Sequence, residues 1–155
     1  MKNKPLVICD TREKHPFDFE EDEAFAGVTH RKLDTGDYSI EGLESILIIE
    51  RKASANELLS NFLTNKERFY ATLERMKGIK HKFLIVEQTC ENIFNPLSYH
   101  IRGRFAKSSM PPAIVFENLI KVMTEYGVHV IFAGKKAKAM TKMILLKVYN
   151  EHRGS

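Results

Sequence analysis

The 155-residue chain has no apolar run near the ~18 residues that a membrane-spanning helix needs, so none is expected. Lysines stand near the N-terminus, but no long apolar segment follows them. No signal peptide is therefore expected, and the predicted location is cytoplasmic. Cysteine is scarce. Cys9 and Cys90 stand in no metal-ligand spacing and read as free thiols in a reducing compartment. His15, His30, His81, His129 and His152 likewise show no ligand spacing. The chain carries no internal repeat, no low-complexity tract and no convincing linker. With an apolar share of 43%, it has the size and composition of one globular domain, taken here as residues 1–155.

What is present is charge, unevenly placed. Residues 1–101 hold 14 Lys/Arg against 17 Asp/Glu, a net of −3, whereas residues 102–155 hold 10 against 3, a net of +7. An acidic part that can hold cations beside a basic part that attracts phosphates suits a nuclease. A solvated lysine face is the plainer alternative. Asp18 to Glu23 packs five acids into six residues and reads as an exposed loop.

The most informative stretch is Gly36–Lys52, GDYSIEGLESILIIERK. The apolar run from Ser45 to Ile49 predicts a buried strand. Side chains alternate along a strand, so Glu50 and Lys52 share one face and Arg51 takes the other. Gly36-Asp37 is a turn signal that sets Asp37 at a sheet rim. Two carboxylates can hold a hard divalent cation through oxygen, and such a cation activates water and polarises a phosphate. An adjacent amine can orient that water or stabilise the developing charge. The spacing alone is degenerate, because many strands end in exposed charges. A further strand, Leu6-Val7-Ile8, runs into Cys9-Asp10-Thr11-Arg12-Glu13 and supplies a third strand-end carboxylate, Asp10, whose plainer role is capping a loop.

These pieces, Asp10-x-Arg12-Glu13, Gly36-Asp37-Tyr38 and Glu50-Arg51-Lys52, occur in order. Together they resemble the nuclease domain of the xeroderma pigmentosum group F (XPF) type of structure-selective DNA endonucleases. The resemblance continues through Lys66-Glu67-Arg68-Phe69-Tyr70 and Phe83–Glu87, and is good over residues 5 to 90. It implies a restriction-endonuclease-like fold, metal-dependent cleavage of branched or flap-containing DNA, and a serving arginine at Arg51. One position departs from it. The family pattern has an aspartate four residues after the lysine, where this chain has Asn56 followed by Glu57. Asparagine brings no charge to a metal. Family members often carry a tandem helix-hairpin-helix module, and none is seen here. Substrate choice would then rest on the nuclease domain, a dimer or another protein.

The expected architecture is α/β, a mixed central sheet flanked by helices. Strands are expected at 5–10, 28–33, 45–51, 83–87 and 128–132, with a short one near 38–40. Helices are expected at 54–77, from Pro111-Pro112 to Tyr126, and at 135–152, with Ser54 and Glu57 forming a capping box. Strands that alternate with helices in the second half predict parallel pairing there. No periodicity is apparent over 88–112.

Asp10, Asp37 and Glu50 are the expected ligands of Mg²⁺ or Mn²⁺, and Lys52 is the expected catalytic lysine, with Arg51 placed beside them. Arg12 and Glu13 either pair with each other or brace the site. Arg68 and Arg75, seven apart, share a helix face, and Arg68 is the favoured phosphate contact. Arg102, Arg104 and Lys107 interleave with Tyr99, His100 and Phe105, a composition that grips unpaired strands or simply forms a basic loop. The stripe at 115–123 reads as core or partner interface. The expected protein is a metal-dependent DNA endonuclease, with DNA as partner and a homodimer plausible. The alternatives are a non-catalytic DNA-binding or scaffolding subunit, and a restriction- or recombination-type nuclease of different specificity.

Overall fold

The structure, a computed structural model, describes residues 3–94 and 112–153. Six strands form one mixed sheet in the order β2-β1-β3-β4-β5-β6. They are β1 Leu6–Cys9, β2 Gly27–His30, β3 Tyr38–Ile40, β4 Leu47–Lys52, β5 His81–Val86 and β6 His129–Phe132. The helices are α1 Ala55–Phe62, α2 Lys66–Arg75, α3 Cys90–Phe94, α4 Pro112–Tyr126 and α5 Ala137–His152, the last preceded by a 3₁₀ turn at Gly134–Lys136. β4, β5 and β6 are parallel, as helix-linked strands should be. β3 is antiparallel to both β1 and β4.

Alternation along β4 divides the core. Ile48 points to the side covered by α1, α2 and α4, where Leu58, Leu59, Phe62, Phe69, Leu73, Val115 and Val122 are buried. Leu47 and Ile49 point to the other side, covered by α5 and by the aromatic loop after β1. Continuing the same period carries Glu50 and Lys52 to the first side and Arg51 to the second.

Two expected elements are corrected, and two features join them that no sequence pattern marks. The helix expected over 54–77 is two helices broken at Leu63-Thr64-Asn65. The Ser60 hydroxyl donates to the Glu57 carbonyl and the Thr64 hydroxyl to the Ser60 carbonyl, which also receives the N–H groups of Leu63 and Asn65. The second strand stops at His30, because Leu33 turns in to donate its N–H to Asp10 at 2.7 Å. β1 and β2 are parallel although no helix links them; the loop between them buries Phe19 and Phe25 against Tyr38 instead. The segment after β5 contains α3, started by the Thr89 hydroxyl accepting from the Asn92 N–H at 3.1 Å. The acidic loop at 18–23 is exposed at Asp18, Glu20, Glu21 and Glu23, but Phe19 within it is 1% exposed, and the partly buried Asp22 pairs with Lys142 at 2.7 Å.

Candidate active site

The site is built where β3 meets the end of β4. Tyr38 pairs with Ile49, so the antiparallel register sets Asp37 across from Glu50. Gly36 makes this approach possible. Its φ is +76°, and a Cβ there would overlap Ile48 Cγ1 and lie 2.9 Å from Ile48 Cδ1 and 3.2 Å from the Ile49 carbonyl oxygen. The Asp37 N–H donates to that same Ile49 carbonyl at 2.8 Å, and the Asp37 carbonyl receives the Asp10 N–H at 2.8 Å. The backbone of Asp37 is thus held from both neighbouring strands.

Asp37 Oδ2 accepts the Arg51 N–H at 2.7 Å, and Lys52 Nζ donates to Glu50 Oε1 at 2.9 Å. Asp37 Oδ1 and Glu50 Oε2 take no protein hydrogen bond among the described residues. Burial pushes the Asp37 carboxyl well above the usual carboxylate range, and repulsion by Glu50 adds to this; the Arg51 N–H and Lys52 only partly oppose it. Burial pulls Lys52 down, but the charge and hydrogen bond of Glu50 outweigh it and hold the ammonium above its ordinary value. The Lys52 ammonium also lies 5.8 Å from the centre of the Phe69 ring of α2.

This donor set fits a hard divalent cation. Two half-buried carboxylates face each other, each with an uncommitted oxygen, and their mutual repulsion is only partly met by protein charge. Asp37 and Glu50 are the residues that would hold it.

Arg51 lies on the opposite face, as alternation requires. Its guanidinium donates twice to Glu87 Oε2, at 2.8 and 3.1 Å, and also to the His15 carbonyl. It stands 3.5 Å from Glu13 and 4.2 Å above the Phe17 ring. Arg51 is therefore a positioning residue: its side chain locks the loop at 13–17 to the ends of β4 and β5, while its N–H orients Asp37. The expectation of a side chain in the reaction is corrected accordingly. Glu87 had no role assigned from sequence. Its signal was a carboxylate ending an apolar strand, and the parallel register of Lys52 with Val86 sets it beside the site.

Asp10 departs from its expected role as a metal ligand. It is 1% exposed, and its two oxygens accept from Arg12 N–H, Nε and Nη2 at 2.9, 2.7 and 3.0 Å and from Leu33 N–H at 2.7 Å. Four donors fill the acceptor capacity of a carboxylate. Burial raises the Asp10 carboxyl, but these donors outweigh it, and the net shift is downward. Asp10 instead fixes Arg12, which also donates to the Leu33 carbonyl at 2.9 Å. The Arg12 side chain is 53% exposed, and Asp37 and Glu50 are among the charges acting on it. Arg12 thus pairs with Asp10, and Glu13 with Arg51; the two neighbours do not pair with each other.

Asn56 and Glu57 are exposed on the first turn of α1. Glu57 closes the expected cap: its N–H donates to Ser54 Oγ at 3.1 Å, and its Oε2 accepts the Ala53 N–H at 2.8 Å. Arg68 and Arg75 are both exposed on α2, with Arg75 donating to Thr72 Oγ1 at 3.1 Å. Arg102, Arg104 and Lys107 lie outside the described residues. Both cysteines are free, and the Cys9 thiol is pushed up to about 11, first by burial and then by Glu13. Among the described residues no helix is long and apolar enough to cross a membrane.

The chain and its fold are similar to known proteins. The ERCC4 domain family model matches residues 9–143, which include every residue of the site. No curated protein sequence matches the chain at a significant level. XPF from Aeropyrum pernix superposes with a TM-score of 0.65 at 20% identity, over 96% of this chain and 66% of that one. The same protein in complex with DNA gives 0.67 at 20% identity, over 98% and 68%. The chain thus spans about two thirds of the length of those XPF chains. The chain belongs to the ERCC4-domain family, and its mixed six-stranded sheet is that of an XPF-type nuclease domain.

Proposed function

We propose that this domain is a divalent-metal-dependent DNA endonuclease that hydrolyses phosphodiester bonds in branched, flap or junction DNA. The observation that carries the reading is the facing pair Asp37 and Glu50, each with a free oxygen, beside a charged Lys52 held at 2.9 Å from Glu50. Asp37 and Glu50 are the ligands for Mg²⁺ or Mn²⁺. When bound, such a cation polarises the scissile phosphate and lowers the pKa of a water. Lys52 orients the attacking water and stabilises charge that builds on the phosphate during in-line displacement. The Arg51 N–H and the register of β3 on β4 hold Asp37 in place, and Glu50 in turn anchors the Lys52 ammonium. Arg12, fixed by Asp10 and half exposed, offers its remaining Nη1 to a DNA phosphate. Arg68 on α2, and Arg102, Arg104 and Lys107, extend the phosphate contacts. The similarity to an XPF solved with DNA supports DNA as the partner.

A homodimer belongs to this proposal. Ile114, Phe116, Ile120 and Met123 leave α4 with large exposed apolar side chains, at 38%, 50%, 53% and 44% exposure. Sedimentation that shows a strict monomer at high concentration would remove the dimer.

The reading is tested by cleavage of labelled flap, fork, junction, linear duplex and single-stranded DNA with Mg²⁺, with Mn²⁺ and with chelator. Branched substrates should be cut first, and only with metal. Lys52→Ala should abolish cutting while DNA binding stays. Cleavage unchanged in Lys52→Ala removes the lysine from the mechanism. Binding without cutting under any metal supports a scaffold instead, with Asn56→Asp the first change to make.

A further inference from the structure

The fold brings together two histidines that sit 71 positions apart in the sequence. His81 opens β5, and Glu151 and His152 end α5. One ligand atom from each lies within 4.8 Å of the others. The two imidazoles meet edge to face, 5.5 Å between centres. The cluster lies at the opposite end of the sheet from the active site: Leu47 pairs with His81 at one end of the parallel ladder, and Lys52 with Val86 at the other.

Two details of hydrogen bonding point to a ligand. His81 Nε2 is buried and has no partner among the described residues. A buried polar atom left unpaired is costly, and it calls for an ion or a water. His152 Nδ1 lies 2.9 Å from the Val148 carbonyl, which can only accept. The Nδ1 therefore carries the proton, and the lone pair sits on Nε2. A backbone carbonyl that fixes the tautomer is what metal-ligating histidines ordinarily have. Glu151 gives Oε1 to Lys147 at 3.1 Å and leaves its second oxygen uncommitted among the described residues.

We infer that His81, Glu151 and His152 form a second cation site, selective for a borderline divalent ion such as Zn²⁺, which staples the end of α5 to the start of β5. Two imidazoles and one carboxylate make a three-ligand set that zinc completes with water. Tetrahedral zinc with bonds of ~2.1 Å needs ligand atoms about 3.4 Å apart, so from separations within 4.8 Å the side chains close in by at most about 1.4 Å on binding. Mg²⁺ prefers all-oxygen octahedral sites and disfavours this one, whereas the carboxylates at Asp37 and Glu50 suit it. The two sites are therefore separable by metal.

The test uses tag-free protein in excess Mg²⁺, which masks the carboxylate site. Zn²⁺ is titrated against a chromophoric chelator, and the melting temperature is followed in parallel. One zinc per chain is expected, with a rise in melting temperature. His152→Ala should weaken binding at least about tenfold and abolish that rise. Glu151 is exposed, so Glu151→Gln keeps the fold and should weaken binding too. Glu50→Gln should leave this zinc unaffected. Equal zinc binding by the parent, His152→Ala and Glu151→Gln would overturn the site, as would an absence of zinc binding to the parent.

Discussion

Gly36 is the position on which the active site depends without touching substrate, and Gly36→Ala is the sharpest structural test. The φ of +76° places an alanine in the left-handed region, at a cost of about 1–2 kcal/mol. The new Cβ would also overlap Ile48 Cγ1 and lie 2.9 Å from its Cδ1. Ile48 is 1% exposed within the core, so it cannot swing aside without moving its neighbours. Overpacking of this kind adds about 1–3 kcal/mol. The sum, about 2–5 kcal/mol, is trimmed slightly because alanine also restrains the unfolded chain. With a urea slope of about 2 kcal/mol/M, the unfolding midpoint should fall by about 1–2.5 M. Gly42 is the control: its φ is +83°, and an added Cβ meets nothing within 4 Å, so Gly42→Ala should cost only about 1–2 kcal/mol. Ile48→Ala should cost less in the Gly36→Ala background than alone, because it removes the clash. Cleavage should fall further in Gly36→Ala than stability explains, since Asp37 follows directly. Equal midpoints for the two glycine variants, or full cleavage by folded Gly36→Ala, would refute the reasoning.

The remaining predictions concern charge. Arg51→Met should destabilise by about 3–5 kcal/mol, because it strands Glu87 and Glu13, with side chains 22% and 13% exposed, without their partner. It should also make the loop at 13–17 sensitive to protease; a loss under about 1 kcal/mol would contradict the locking role, since that is the range of an exposed pair. Asp37 is raised above its unfolded value, so the native state binds its proton more tightly. Metal-free stability should therefore fall as pH rises from the ordinary carboxylate range through the raised value. Asp37→Asn should flatten that decline and be the more stable protein at alkaline pH, measured by urea melts in chelator. Parallel pH profiles would contradict it.

Much of this was legible because strand periodicity is a local property. Alternation along β4 correctly separated Glu50 and Lys52 from Arg51, and the Ser54/Glu57 cap followed from two residues three apart. The break between α1 and α2 was harder. Apolar spacing runs on from Phe62 to Phe69, whose rings still meet at 5.9 Å, and conceals the polar competitors between them. Asp10 looked like a third ligand because its strand-end position is the same as that of Glu50. Only the turn of Leu33 back onto it, 23 residues later, shows its oxygens to be filled. His81 and His152 have no spacing to detect, since the packing of α5 across the sheet creates their proximity.

Strand cleavage should depend on a cation held by Asp37 and Glu50. The most direct measurement is single-turnover cleavage of a flap substrate by the parent and by Glu50→Gln, at saturating Mg²⁺ or Mn²⁺ and in chelator, with thermal melts and DNA affinity measured on the same samples. The parent should cut only with metal. Glu50→Gln, folded and still binding DNA, should lose at least about a hundredfold in rate, of the order that removing one transition-state-stabilising group costs. Cutting by the parent in chelator, or a folded Glu50→Gln that cuts at the parent rate, would contradict that dependence.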